Sequence, residues 1–396
     1  MQLTLDEKEQ EIRDEVREFL AGNALRPEDL PRDLDARVAV LRNWQKDVYD
    51  AGLVGIAWPK EYGGRGGTAS QQLVANLEMA RAGAPELIGV IALEVVGPSI
   101  VAHGTPEQKR SYVKRMLTGE DIWCQGFSEP EAGSDLASLN TRAELDGDHF
   151  VINGQKTWTS WAKYAHWCAV LARTDRDAPA HKGISYIIVD TRTPGVDVRP
   201  LKQITGDAEF GEIFFDDVRV PKANVLGELN GGWPLAMHTL TNERGPAVAG
   251  RQVKLRIILD RLVDEAHSIQ RDGRPAIEDP EILAQLTRAH ISLEVLRYQS
   301  YRSAGAATAR GAAGLESSVD KLWLVASEQL LGGTVMDVLG PHLCSPEIRS
   351  DNLPAADRIS ELQNVYLYSR AASVYGGSEQ IQKNIIAQRM LGLPRS

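Results

Sequence analysis

The chain has 396 residues, of which 43% are hydrophobic and 25% are charged, a composition typical of globular proteins in water. Its length exceeds that of most single domains, so two or three domains are expected. The net charge of −10 argues against nucleic acid or an anionic membrane as the main partner.

The cysteines Cys124, Cys168 and Cys344 lie far apart without paired spacing. This favours a reducing, cytoplasmic setting over a disulfide framework or a zinc site. The histidines show no H-E-x-x-H spacing, so no metal is predicted. No apolar run reaches the roughly 18 residues of a membrane span, and the N-terminus lacks the basic and apolar segments of a secretory signal.

The N-terminal part of the chain is predicted to be helical. Thr4 and Glu7 match a capping box at the start of an amphipathic helix that ends near Gly22. A second helical pattern ends at Gly52. The glycine-rich stretch 58–67 is predicted to be a connector, because no buried strand precedes it.

Residues 70–118 continue this helical pattern. Glycine and proline interrupt it, and such residues usually end or kink helices. Breaks are therefore predicted near Gly83-Ala84-Pro85, Gly97-Pro98 and Gly104-Thr105-Pro106.

Between residues 123 and about 221 the hydrophobic period becomes two, which predicts strands. Asp146-Gly147 and Asn153-Gly154 are predicted as hairpin turns, since both central turn positions favour residues that tolerate positive φ. Hairpins without intervening helices favour an antiparallel barrel or sandwich. Further strands are predicted over 123–127, 167–172, 184–189 and 213–215.

From residue 233 the period is helical again, with a stripe over 248–266 and three further candidates. Four helices of this length suggest a bundle. The predicted fold class is α+β, with an N-terminal α-helical domain over 1–121, a central antiparallel β domain over 122–232 and a C-terminal four-helix bundle over 233–396.

One strand and one loop could hold a flat ligand. In a regular strand Trp158 and Ser160 share a face, while Thr157 and Thr159 point away. An aromatic ring beside a hydroxyl suits a planar heteroaromatic, and the Gly133-Ser134 loop could bind its phosphates through N–H groups. The alternative is that these are ordinary sheet residues.

A carboxylate precedes a helix break in the C-terminal region. Pro246 lacks an N–H and crowds the carbonyl of Asn242, so the helix should kink or break around Glu243. Glu243 could act as a general base. Alternatively, Glu243 and Arg244 form an ordinary surface pair.

Two segments resemble the flavin-binding signatures of the acyl-CoA dehydrogenase family: Phe127–Asp135 and Asn153–Ser160. The loop at 58–67 and the α–β–α order resemble the same family. The resemblance implies a homologous fold, an FAD cofactor and α,β-dehydrogenation of an acyl-CoA thioester, in which a base removes the α-proton and flavin N5 accepts the β-hydride.

The resemblance also implies roles for single residues. Glu243 matches the catalytic base of the isovaleryl-type and long-chain branch, and Arg244 would help to orient the site. Gly376 occupies the position of the base in the other branch and would instead polarise the thioester through its N–H. FAD binding is implied for Gln125, Phe127, Ser128, Gly133, Ser134, Trp158, Thr159, Ser160, Arg271, Ser378 and Gln380.

The implied partners are an acyl-CoA substrate and an electron acceptor such as an electron-transfer flavoprotein. A homotetramer is expected, and a heteromer with a sister subunit stays open. Two other functions also stay open: an acyl-CoA oxidase or flavin monooxygenase of the same fold, and a non-catalytic partner subunit. The segment Asp337–Pro341 departs from the family pattern around the neighbour's FAD adenine.

Overall fold

The computed structural model describes residues 5–244, 246–310, 314–340 and 356–394. They form two compact units, each assembled from separate parts of the chain. The first unit comprises 30–72 and 85–243. The second comprises the described parts of 1–29, 73–84 and 244–396. The division at residues 121 and 232 stays a prediction.

A mixed eight-stranded sheet dominates the first unit, in the order β6-β7-β3-β2-β4-β5-β8 with β1 beside β4. Most neighbours are antiparallel, but β4 pairs in parallel with β1 and with the end of β2. The strands are β1 Trp123–Gly126, β2 Arg142–Asp146, β3 His149–Ser160, β4 Trp167–Arg173, β5 Ile184–Asp190, β6 Val196–Leu201, β7 Phe210–Pro221 and β8 Val225–Leu226.

Apolar side chains from six of these strands form one core cluster, because alternate residues of each strand turn to the same side. The cluster includes Cys124, Ala143, Phe150, Cys168, Ile187 and Ile213.

The turn predicted at Asn153-Gly154 is wrong, whereas the turn after Asp146 is confirmed. Strand β3 runs unbroken through both residues, and the register with β7 shifts there. Gly154 has φ +150°, and a Cβ built on it would lie 2.5 Å from Thr141 Oγ1. The glycine therefore permits close packing within a strand, a use that its local sequence does not distinguish from a turn.

The helices of the first unit are α2 Leu34–Asp50, α4 Gly97–His103, α5 Pro106–Leu117 and α6 Gly232–Arg244, the last ending at the unit boundary. The break predicted at Gly97-Pro98 is wrong. Residues Ile91–Val96 form a π-helix that continues directly into α4, and Gly97 N–H donates to Ala92 O. A wider turn lets a helix continue past a proline that cannot supply the usual hydrogen bond.

The second unit is helical apart from a two-stranded ribbon, β9 Gln270–Arg271 and β10 Arg274–Pro275. Its helices are α1 Glu7–Gly22, the C-terminal part of α3 Ala69–Arg81, α7 Pro246–Ser268, α8 Pro280–Arg310, α9 Glu316–Leu339, α10 Ala356–Ala372 and α11 Glu379–Ile385. The long helices confirm the predicted bundle, and its core includes Leu259, Leu262, Leu293, Leu331 and Val335.

The first helix starts later than predicted. Asp6, rather than Thr4, is its N-cap, and a reciprocal capping box joins Asp6 to Glu9. Both patterns satisfy the same rule, so the sequence did not choose between them. The helical N- and C-terminal regions and the central sheet nevertheless confirm the predicted fold class.

By length and composition alone, helix α9 could cross a membrane. Its apolar residues are interrupted by polar ones, so they do not form the continuous apolar run expected of a membrane span. Slightly more than half of its apolar window is buried inside the protein. Leu324, Leu331, Val335 and Val338 belong to the core of the second unit. This packing is that of a central bundle helix.

Candidate active site

The loop after β1 carries the first predicted site segment. Phe127 is buried, and its ring makes an edge contact with Tyr186 at 5.6 Å between centroids. Ser128 O accepts a hydrogen bond from Thr157 N at 3.0 Å. Reciprocal backbone bonds between Glu129 and Ala132 then close a tight turn. The loop is thus attached directly to strand β3.

Beyond this turn, Gly133 and Ser134 are exposed. A Cβ built on Gly133 would meet no atom within 4 Å. The backbone of this segment is therefore open to approach by a ligand, as the predicted phosphate contact requires. Gln125 lies in β1, opposite Ala169, and is partly buried.

Strand β3 contains a bulge at the second predicted segment. Lys156 pairs with Ile213 and Thr159 with Gly211, so β3 has one residue more than β7 over this interval. Trp158 has φ +56° and its side chain is 65% exposed. The bulge turns the indole outward, as bulges near functional sites commonly do. Thr157 and Thr159 on either side of it are buried, in agreement with the predicted alternation.

Thr159 follows the bulge and is fully buried. Its Oγ1 has no hydrogen-bond partner in the described part of the chain. Buried hydroxyls without a partner are uncommon and require a physical explanation. Ser160, at the end of β3, is partly exposed. These features fit a flavin site: an outward aromatic ring at Trp158, a partly exposed hydroxyl at Ser160 and an accessible loop occur within one unit.

Helix α6 carries the candidate base on its last turn. The described helical residues run to Arg244 and resume at Pro246, and residue 245 lies outside the described residues, so the predicted break stays a prediction. The side chains of Glu243 and Arg244 lie outside the described residues.

A directed hydrogen-bond chain ties the turns before Glu243 to helix α4. Thr239 Oγ1 donates to Leu235 O at 2.9 Å, so it accepts from Ser99 Oγ at 2.8 Å. His238 Nδ1 then donates to Ser99 Oγ at 3.3 Å, and His238 Nε2 accepts from Asn242 Nδ2 at 3.4 Å. The sequence analysis did not assign Ser99 or His238 to the site.

This arrangement needs a neutral imidazole at His238 with its proton on Nδ1. Burial, with a smaller effect from neighbouring His103, lowers the pKa of His238 below its ordinary value. The hydrogen-bond chain is therefore intact at neutral pH.

The remaining predicted residues belong to the second unit. Gly376 and Gly377 both have positive φ, and their carbonyls accept from Gln382 Nε2 at 3.1 and 3.3 Å. The two glycines therefore form a turn just before α11. Ser378 caps α11, and Gln380 is exposed in its first turn.

Arg271 lies in the short ribbon and is partly exposed. Its Nη1 donates to Asp337 O at 3.1 Å, which orients the guanidinium against the end of α9. Asp337 opens the segment that departs from the family pattern. Of that segment, Pro341 lies outside the described residues.

The sequence analysis also missed a buried ion pair between Lys156 and Glu129. The sequence did contain a signal for this pair. Lys156 is separated from the buried Phe150 and Ile152 by an even number of residues, so in a regular strand all three side chains lie on the same face. A charged residue on an apolar face indicates a buried partner.

Comparisons with known proteins cover the whole chain. It matches the acyl-CoA dehydrogenase N-terminal domain over residues 6–120, the middle domain over 124–218 and the C-terminal domain over 230–391. It is 42% identical over 396 residues to acyl-CoA dehydrogenase IpdE1 of Mycobacterium tuberculosis, covering 98% of each chain. FadE34 of the same organism is 40% identical over 373 residues, which span 91% of this chain and 48% of FadE34.

Solved structures give the same result. The Tcur3481-Tcur3483 steroid ACAD superposes with a TM-score of 0.84 at 32% identity over the full length of both chains. The ChsE4-ChsE5 complex from Mycobacterium tuberculosis gives a TM-score of 0.84 at 31% identity, also over both full lengths. The chain therefore belongs to the acyl-CoA dehydrogenase family of flavin-dependent oxidoreductases.

Proposed function

We propose that this enzyme performs FAD-dependent α,β-dehydrogenation of an acyl-CoA, with Glu243 as the base. The observation that carries the proposal is the end of strand β3, where Trp158 points outward and the partly exposed Ser160 supplies a hydroxyl. An isoalloxazine ring has both a flat face and polar edges, so it complements these two groups. Glu243 is the only carboxylate at either of the two positions where the family places its base.

The chain's own residues would prepare the thioester for proton removal. A thioester α-C–H is a weak acid, so its ionisation needs a positioned base and a polarised carbonyl. Glu243 would accept the α-proton, and Gly376 N–H would donate to the thioester oxygen. Bound FAD would supply the two-electron oxidation that removes the β-hydrogen. The hydrogen-bond chain through Ser99 and His238 would hold the helix that carries Glu243.

We propose a steroid-derived acyl-CoA as the substrate class. Support comes from the structural relative named as a steroid ACAD, which matches the full length of the chain. A panel that pairs steroid side-chain CoA thioesters with straight-chain acyl-CoAs tests this directly. Preferential bleaching of the flavin by straight-chain substrates would contradict the substrate proposal and leave the reaction type standing.

The test of the base is Glu243→Gln, which keeps the size of the side chain and removes the proton acceptor. We expect dehydrogenation with an artificial electron acceptor to fall by at least about 10³-fold, within the range that a general base and its positioning contribute. Exchange of the substrate α-proton with D₂O should fall in parallel. The matched control is Glu379→Gln, because Glu379 is the carboxylate nearest to Gly376 in the sequence. This variant should retain activity. Full activity of Glu243→Gln would remove the proposed base.

We also propose that the enzyme assembles with a second, non-identical chain of the same fold. Ile291, Val295 and Tyr298 expose 56%, 42% and 51% of their surfaces along one face of α8, at the spacing of a helix–helix seam. Arg288 and Arg302 flank this seam at equal distances from Val295. If two identical copies paired antiparallel about Val295, Arg288 of each copy would face Arg302 of the other, and the like charges would repel. A partner with acidic residues at these positions therefore fits better.

The assembly proposal is tested by measuring the mass of the chain purified alone and after co-expression with candidate sister chains. We expect a stable complex only with a sister chain, and Val295→Glu should dissociate it. Leu283→Glu is the matched control, because Leu283 is similarly exposed but lies about 120° around the helix from Val295. A homotetramer formed by the chain alone would contradict the heteromer and restore the first expectation.

A further inference from the structure

A fully buried ion pair links the two segments that carry the candidate flavin site. Lys156, on β3, is completely enclosed. Its Nζ donates to Glu129 Oε1 at 2.7 Å and to Phe127 O at 3.0 Å. One ammonium group therefore holds both a side chain and the backbone of the loop after β1.

The carboxylate of Glu129 extends the link to the chain beyond the loop. Its Oε2 accepts from Asn140 N at 2.6 Å, and its Oε1 accepts from Thr141 N at 2.9 Å. Burial alone would raise the pKa of Glu129, but Lys156 and these donors outweigh it and hold the pKa below its ordinary value. The carboxylate thus remains ionised and joins both ends of the loop to β3.

Close packing surrounds the ammonium stem. A Cβ built on Gly126 would lie 3.3 Å from Lys156 Cγ and 2.9 Å from Cys168 Sγ. The last residue of β1 must therefore be very small where it passes the lysine. These contacts leave little free space between the end of β1 and the lysine side chain.

Stability alone is a weak reason to retain such a pair. Removing two charges from water is unfavourable, and replacing a buried pair with neutral groups of similar size is often neutral or stabilising. Its distinctive consequence here is geometric, because it joins Phe127 and the turn leading to Gly133 to the strand that presents Trp158 and Ser160. Binding groups held in advance in their bound arrangement lose less entropy when the ligand arrives.

We infer that Lys156 and Glu129 are positioning residues that preorganise the loop and the β3 bulge for FAD. The inference rests on the proposed function, since it concerns the same cofactor. Neither residue needs to touch the flavin. They act through the loop and strand that they hold together.

The test separates FAD affinity from stability in apo-protein, by flavin fluorescence titration and by thermal unfolding. Lys156→Met and Glu129→Gln each leave one buried charge unpaired, so both should lower Tm. The double variant removes both charges and should recover most of that Tm. We nevertheless expect its Kd for FAD to stay about ten- to a hundredfold above the wild-type value, because the loop is no longer attached. Recovery of both Tm and FAD affinity would overturn the inference.

Two further variants keep the test decisive. Glu129→Asp retains both charges but shortens the carboxylate arm, and it decides the question if the double variant does not fold. We expect it to fold and to bind FAD several-fold more weakly, and unchanged affinity would overturn the inference.

Asp121→Asn is the matched control, since Asp121 is a buried carboxylate paired with Arg115 away from the loop. It should lower Tm without changing the FAD affinity. Wild-type apo-protein that binds no FAD would instead refute the proposed function itself.

Discussion

Replacing Thr159 by valine tests the energetic cost of its buried hydroxyl. Thr159 is fully enclosed and its Oγ1 has no partner among the described residues, so the apo-protein carries the desolvation penalty of one polar group. Such penalties are about 1–3 kcal/mol. Valine has a nearly identical shape and no polar atom, so we expect Thr159→Val to raise the free energy of unfolding of the apo-protein by about 1–2 kcal/mol.

The same substitution should leave FAD binding nearly unchanged, because the hydroxyl is fully enclosed and a bound flavin contacts only accessible atoms. We expect a Kd for FAD within about threefold of the wild-type value, which corresponds to less than about 0.7 kcal/mol. Urea unfolding of the apo-protein and FAD titration measure the two quantities separately.

Thr239→Val provides the matched comparison for stability. Thr239 is equally buried, but its hydroxyl donates to Leu235 O and accepts from Ser99. This variant should lose about 1–2 kcal/mol, the reverse sign of the Thr159 effect. If Thr159→Val destabilises the apo-protein as Thr239→Val does, the Thr159 hydroxyl is already satisfied. The reasoning about an unpaired hydroxyl would then be refuted.

Two further predictions concern stability. Burial raises the pKa of Asp320 from 3.8 to about 6, against opposing hydrogen bonds from Gln299 and Ser303. The folded state therefore retains a proton that the unfolded state has released, so stability falls as pH rises from about 4 to 6, by up to about 3 kcal/mol. Asp320→Asn should remove this dependence, so that in urea unfolding the variant is more stable than wild type at pH 8 and similar to it near pH 4.5. If the free energy of unfolding changes equally with pH in both proteins, the assignment to Asp320 is contradicted. Gly154→Ala should lower the free energy of unfolding by about 2–3 kcal/mol, because its Cβ would meet the backbone of Thr141 at a strained φ. The same substitution at Gly250, where a Cβ meets nothing within 4 Å, should not destabilise the protein, and equal losses would show that packing is not the cause.

The amino-acid sequence by itself determined the features that depend on near neighbours in the chain. The helical stripes of the C-terminal region and the turn after Asp146 both follow from local periodicity and backbone chemistry. The two signature segments likewise identified the family before any contact was known. Local rules suffice here because caps, turns and amphipathic faces involve residues only a few positions apart.

Only the tertiary structure decided the features that depend on distant partners. Asn153-Gly154 is a strand segment because β7 pairs along it. Trp158 turns outward because β3 has one residue more than β7 between Lys156 and Thr159, which forms a bulge. Lys156 pairs with Glu129, 27 residues away in the loop after β1, and the sequence did not indicate this partner. Register, bulges and buried charge pairs are set by what packs opposite a residue, and no local pattern encodes the identity of that neighbour.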